Sequence, residues 1–176
     1  MPVSVFCGVS VDGFLARPDG TFDFLNVADG FPHGFEEFMK TVDAIVMGRN
    51  TYAIVQPCTP WPYGKRTRIV VLSSHPDEIA APVSGGTIER MGGEPAEIIE
   101  KLAATGAKHL YVDGGITIQR FLRAGLVDRM IVTRVPVLIG EGIPLFGSVP
   151  KDIKLKHIAT RQYGNGMVQT EYEVVK

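Results

Sequence analysis

The chain has 176 residues, 45% of them hydrophobic, and no Pro/Ser/Gly-rich linker or charge block divides it, so residues 1–176 read as a single domain with a sizeable core. A formal net charge of −1 and a pI of about 6.4, with basic residues scattered along the chain, leave no electrostatic footprint for nucleic acid or an anionic membrane. No apolar run approaches the ~18 residues of a membrane span, no segment repeats with a period of roughly 20–50 residues, and His33, His75, His109 and His157 form no ligand-spaced pair, so no metal is expected.

Met1 to Ser4 lead straight into a strand with no signal pattern. Val3 to Val9 is apolar on both faces, as in a strand from the middle of a sheet. Cys7 and Cys58 match no C-x-x-C or Cys/His spacing, which points to two reduced thiols in the cytoplasm. Asp12-Gly13 interrupts the apolar segment, either to set a carboxylate beside a ligand or to cap a bend, and Arg17-Pro18-Asp19-Gly20 is a turn. Phe35, Phe38, Met39 and Val42 fall at i, i+3, i+4 and i+7, an amphipathic helix with Glu36 and Glu37 early in it.

Asp43 to Met47 returns to a buried strand that stops at Gly48, with Arg49, Asn50 and Thr51 where the next helix begins. Arg carries a fork of donors suited to phosphate oxygens, and Asn and Thr add short polar groups; the alternative is an ordinary helix cap with a surface Arg. Gln56 to Lys65, with Trp61 and Tyr63 among prolines, is a loop with aromatic anchors. Arg68 to Leu72 is a third buried strand ending in Ser73-Ser74-His75-Pro76, which suits either a ligand-facing sheet edge or plain turn chemistry. Gly86 to Arg90 is a short strand, and Ala96 to Ala104 a helix with Pro95 at its start and Gly106 past its end.

His109 to Val112 is a buried strand, and Ile118, Phe121 and Leu122 give a helix an apolar face. Between them Gly114 and Gly115 bare the backbone, and a helix starting there aims free N–H groups and its positive dipole end at the turn, a geometry suited to phosphate. The alternative is a tight strand-to-helix turn. Arg129 to Ile139 is rich in β-branched residues, Gly140 to Gly147 is a loop, and Asp152 to Gln162 with Met167 to Val175 form a hairpin around Tyr163-Gly164-Asn165-Gly166. Strands alternating with helices and then a β-rich end predict an α/β fold: a mostly parallel sheet, helices on both faces and an antiparallel edge.

Val46-Met47-Gly48-Arg49-Asn50-Thr51-Tyr52, Val71-Leu72-Ser73-Ser74 and Val112-Asp113-Gly114-Gly115 follow one another as in dihydrofolate-reductase-like proteins. Phe121 to Asp128 and Pro136 to Phe146 resemble, more particularly, the reductase domain of the bifunctional riboflavin-biosynthesis deaminase/reductase and its stand-alone relatives. The resemblance runs from Val3 to Val175 and implies a three-layer fold around an eight-stranded sheet, NADPH as cofactor and a homodimer. It implies that Gly48, Arg49, Asn50 and Thr51 meet the 2′-phosphate and pyrophosphate, that Leu72, Ser73 and Ser74 lie at the adenosine end, and that Asp113, Gly114, Gly115, Ile116 and Thr117 form the turn under the pyrophosphate. Asp12 and Thr133 fall where the family borders its substrate. The implied reaction is hydride transfer to a small heterocycle or carbonyl compound; the alternative is a nucleotide-binding protein without catalysis.

Two departures accompany the resemblance. The place of the carboxylate with which dihydrofolate reductases bind the pterin falls near Gly34, with Glu36 and Glu37 out of register. The H-x-E…P-C-x-x-C signature of the deaminase partner is not in the sequence. A Rossmann dehydrogenase is excluded because no G-x-G-x-x-G follows the first strand.

Overall fold

The computed structural model describes residues 1–58, 61–64, 67–74, 79 and 88–176. In chain order these form β1 (Val3–Ser10), β2 (Phe14–Ala16), a 3₁₀ turn η1 (Asp23–Ala28), α1 (Phe35–Met39), β3 (Ala44–Gly48), α2 (Arg49–Val55), β4 (Arg68–Leu72) and β5 (Ile88–Met91). They continue with α3 (Pro95–Ala104), β6 (Leu110–Asp113), α4 (Gly115–Arg123), β7 (Arg129–Val135), β8 (Ile143–Pro144), β9 (Leu155–Gln162) and β10 (Val168–Val174). His75, Pro76, Gly86 and Thr87, and with them the start of the expected fourth strand, lie outside the described residues.

The main sheet has eight strands in the order β5-β4-β3-β6-β1-β7-β10-β9. Its first six strands are parallel, and β10 and β9 complete it in antiparallel pairing, as the alternation of elements predicts. β1 sits between β6 and β7, which is why it is apolar on both faces.

Strand alternation sorts the interior into two cores. Val5, Val46, Val70, Val112 and Met130 face Ile98 and Leu102 of α3 and Ile118 and Phe121 of α4. Phe6, Ile45, Met47, Val71, Tyr111 and Ile131 face the other way, onto Phe38 of α1 and Tyr52 and Val55 of α2. The fold is therefore the expected three-layer arrangement. α3 starts with Pro95 behind a reciprocal capping box between Glu94 and Glu97.

Three segments differ from the sequence expectation. α1 stops at Met39, because the Thr41 hydroxyl and amide both bond the Phe38 carbonyl and turn the chain, although Val42 still packs against the core. β7 stops at Val135, since Pro136 has no N–H to continue the ladder. The loop after it contains β8, which pairs antiparallel with β2. This small second sheet joins segments more than a hundred residues apart and has no local signal.

Candidate active site at the strand ends

A cleft of about 700 Å³ lies over the C-terminal part of the parallel strands, within the size of ordinary cofactor and substrate sites. Its floor follows from strand alternation. Asp113 shares a face with Tyr111, Gly8 with Phe6 and Thr133 with Ile131, so these ends project on the α1/α2 side of the sheet. Gly8 leaves room for Leu25 of η1, whose side-chain tip would stand 2.9 Å from a Cβ at that position.

At one end the cleft takes its walls from the starts of α2 and α4. Gly48, Arg49, Asn50 and Thr51 line it, as do Leu72, Ser73 and Ser74 beyond β4, and Asp113, Gly114, Gly115, Ile116 and Thr117 after β6. Gly114 has φ +87° and ψ 137°, and a Cβ there would fall 2.1 Å from Thr51 Oγ1, so only glycine lets the two helix starts meet. The first bond inside α4 runs from Ile118 N to Gly114 O, which leaves the amides ahead of it without intrahelical acceptors. Arg120 also lines this end, with its guanidinium on Gly93 O at 3.0 Å and Glu94 at 3.5 Å.

Phe6, Phe22, Leu25, His33, Phe35 and Tyr111 wall the other end. The His33 Nδ1 hydrogen is donated to Phe31 O at 2.8 Å. Thr133, 3% exposed, is held from behind by Gln169, itself 2% exposed. Gln169 Nε2 donates to Thr133 Oγ1 and to the His33 carbonyl, both at 2.9 Å, while its Oε1 accepts from Arg161 and Tyr163 at 3.3 Å. Those partners fix the amide's orientation. Thr133 Oγ1 is thus an acceptor toward Gln169.

Asp113 is the half-buried carboxyl of the floor. Oδ2 accepts from the Tyr63 hydroxyl at 2.7 Å and Oδ1 from the Gly114 amide at 2.8 Å. Burial lifts it above the usual carboxylate range, against the pull of those two bonds; Tyr111, whose hydroxyl donates to Phe6 O, opposes the lift least. Burial likewise pushes the Cys7 thiol and the Tyr63 and Tyr111 phenols up, with the nearby Asp113 charge adding to each.

Asp12 lies outside the lining. Its carboxylate accepts from the amides of Ile139 at 3.2 Å and Gly140 at 2.8 Å, pinning the loop that carries β8. The Ser10 hydroxyl and then the Gly140 and Ile139 amides hold it below the usual carboxylate range. Gly34, Glu36 and Glu37 are outside the lining too; from that region His33 and Phe35 reach the cleft.

Sequence reasoning missed Tyr63 as a partner of Asp113, Gln169 behind Thr133, and η1 as a wall. Tyr63 carried a weak signal as an aromatic anchor in a Pro-rich loop. Gln169 carried none, being one polar residue in an alternating strand. Among the described residues no group of three or more His, Cys, Asp or Glu is placed to hold a metal ion, and no helix is long and apolar enough to cross a membrane.

Residues 2–169 match the family model of the RibD C-terminal domain. The uncharacterized protein YwjB of Bacillus subtilis (strain 168) is 30% identical over 174 residues, covering 96% of this chain and 95% of that protein. The riboflavin biosynthesis protein RibD of Corynebacterium ammoniagenes is 33% identical over 148 residues, but these are 76% of this chain and 42% of that longer protein. A crystal structure from Shewanella sp. PV-4, of a protein provisionally assigned to riboflavin biosynthesis, superposes with a TM-score of 0.88 at 35% identity over the whole of both chains. With that fold, this cleft and a family match along nearly its entire length, the chain belongs to the RibD C-terminal domain family.

Proposed function

We propose that the protein is an NADPH-dependent reductase that delivers hydride to a small heterocyclic substrate, pyrimidine or pterin-like, or to a carbonyl compound. The observation that carries this reading is the joining of two different surfaces in one cleft. One end offers backbone amides at the start of α4 beside Arg49; the other is walled by aromatic rings.

The donor chemistry fits a dinucleotide diphosphate. The cradle at Gly114, which a Cβ would fill, keeps the α4 amides accessible to an anion, and Arg49 adds a charged fork at the same end. In this reading Gly48, Arg49, Asn50 and Thr51 take the 2′-phosphate and pyrophosphate, and Leu72, Ser73 and Ser74 the adenosine end. The Asp113 backbone with Gly114, Gly115, Ile116 and Thr117 makes the turn beneath the pyrophosphate. Bound there, the reduced nicotinamide supplies a hydride. The chain's own tasks are to orient and to exclude water. Thr133 donates its hydroxyl hydrogen to an acceptor atom of the substrate, Gln169 holds it in place, and Phe6, Phe35 and Leu25 keep the ring dry.

Calorimetric binding of NADPH against NADH, followed by absorbance at the reduced nicotinamide band with pterin, folate and pyrimidine acceptors, tests the reading. Selective NADPH binding with turnover supports it. Binding without turnover favours a non-catalytic binder, and no binding removes both. Arg49→Ala should weaken NADPH by about 1.5–3 kcal/mol more than NADH, the worth of a charge-assisted bond; equal losses would put the Arg elsewhere. A homodimer in the cytoplasm belongs to the same reading, supported by the exposed Leu155 and Ile158 on the edge strand β9 and by the free thiols Cys7 and Cys58. A monomer mass by light scattering would remove the dimer.

A further inference from the structure

A reduction needs a proton as well as a hydride, and few of the described residues that line the cleft can give one. Asp29 lies exposed at the rim. The His33 Nδ1 hydrogen is already given to Phe31 O. Tyr63, Tyr111 and Cys7 hold their protons more tightly than usual.

Asp113 is different in kind. It sits at the end of β6, between β3 and β1, on the cleft floor. The titratable groups that face it are Cys7 from β1, Tyr111 from its own strand and Tyr63 from the loop after α2; no described cation acts on it. A half-buried carboxyl without a cation keeps its proton more readily than an exposed one. Yet each of its oxygens already receives a hydrogen bond, from the Gly114 amide and the Tyr63 hydroxyl. Those two bonds strengthen when the group becomes an anion. Burial therefore raises the cost of the bare anion, and the same site holds that anion by two bonds once the proton has gone.

We propose that Asp113 is the proton donor of the reaction and that Tyr63 is its positioning residue, an inference that rests on the reductase reading above. As the carbon of a C=N or C=O bond takes hydride from the reduced nicotinamide, the π electron pair moves to the nitrogen or oxygen. That atom takes the proton from the Asp113 carboxyl. Asp113 is left as a carboxylate held by Gly114 N–H and Tyr63 O–H, and water returns the proton after release.

The test uses the full chain with 7,8-dihydropterin, dihydrofolate and 5-formyluracil as acceptor probes. Single-turnover hydride transfer is followed against pH, NADPH binding by calorimetry, and the carboxylic-acid C=O band by infrared spectroscopy without acceptor. At saturating NADPH, Asp113→Asn should slow hydride transfer about 10²–10⁴-fold, abolish its fall with rising pH and remove one carboxylic-acid band. Tyr63→Phe, which takes away a bond favouring the anion, should move the alkaline fall in rate to higher pH, a shift that a merely structural tyrosine would not cause.

Full hydride transfer by Asp113→Asn overturns the proposal and leaves the reductase reading standing. An unmoved alkaline limb in Tyr63→Phe, or no band lost in Asp113→Asn, overturns it too. A wild-type protein that binds NADPH but reduces no probe overturns the proton-donor role, and one that binds no NADPH overturns both readings together.

Discussion

Replacing Gly114 by Ala tests the meeting of α2 and α4 without reference to any ligand. Two penalties add. The backbone there has φ +87° and ψ 137°, a conformation L side chains rarely adopt, and holding a residue in such a region costs about 1–3 kcal/mol. The new Cβ would fall 2.1 Å from Thr51 Oγ1, 3.1 Å from its Cβ and 3.3 Å from its Cγ2. Turning the Thr51 side chain moves the first and third of these atoms but not the second, so a helix start must shift; forced overpacking of this kind costs about 1–3 kcal/mol. The sum is about 2–6 kcal/mol, a large part of the roughly 5–15 kcal/mol that holds a domain folded. Urea unfolding followed by circular dichroism would show it as a lower midpoint with an unchanged slope. Adding Thr51→Ala removes Oγ1 and Cγ2 and should return about 1–2 kcal/mol of the steric part, leaving the backbone part. A Gly114→Ala protein within about 1 kcal/mol of wild type would refute the reasoning, as would a double variant no more stable than Gly114→Ala alone.

Gln169→Leu leaves the His33 carbonyl and its other partners around a buried site without their amide, so unfolding by urea should show a loss of about 1–3 kcal/mol; an unchanged midpoint would mean the network is decorative. Asp12→Ala frees the Ile139 and Gly140 amides, so hydrogen exchange should lose protection there and not in β7, and uniform protection would refute the latch. Because the Asp12 carboxylate is held below its ordinary range, the latch is intact above the usual carboxylate pKa and fails as pH falls through the lowered one. The same protection factors measured from neutral to acid pH check that sign.

Much of this molecule was legible because its strongest signals are local. β1, β3, β4 and β6 announce themselves as apolar runs, and α3 by a proline at its start and a glycine past its end. The turns at Gly48 and Gly114-Gly115 mark strand ends where a helix must follow at once. Those signals fix a parallel α/β sheet, and in such a sheet the ends of neighbouring strands meet; hence the residues that the resemblance assigns to a cofactor all line one cleft, together with Thr133.

What tertiary structure decided are the contacts between residues distant in the chain. Nothing near Asp12 indicates that its carboxylate would be spent on amides more than a hundred residues away, outside the cleft. Gln169 meets Thr133 because the register of β10 on β7 pairs them, while Tyr63 reaches Asp113, and the His33 carbonyl reaches Gln169, from segments outside the sheet. Periodicity reports which face a residue turns to, since that is set by bonds a few residues long. Hydrogen-bond partners, the protonation of a half-buried carboxyl and the pairing of β2 with β8 depend on which face lies opposite, and that is settled only when the layers close.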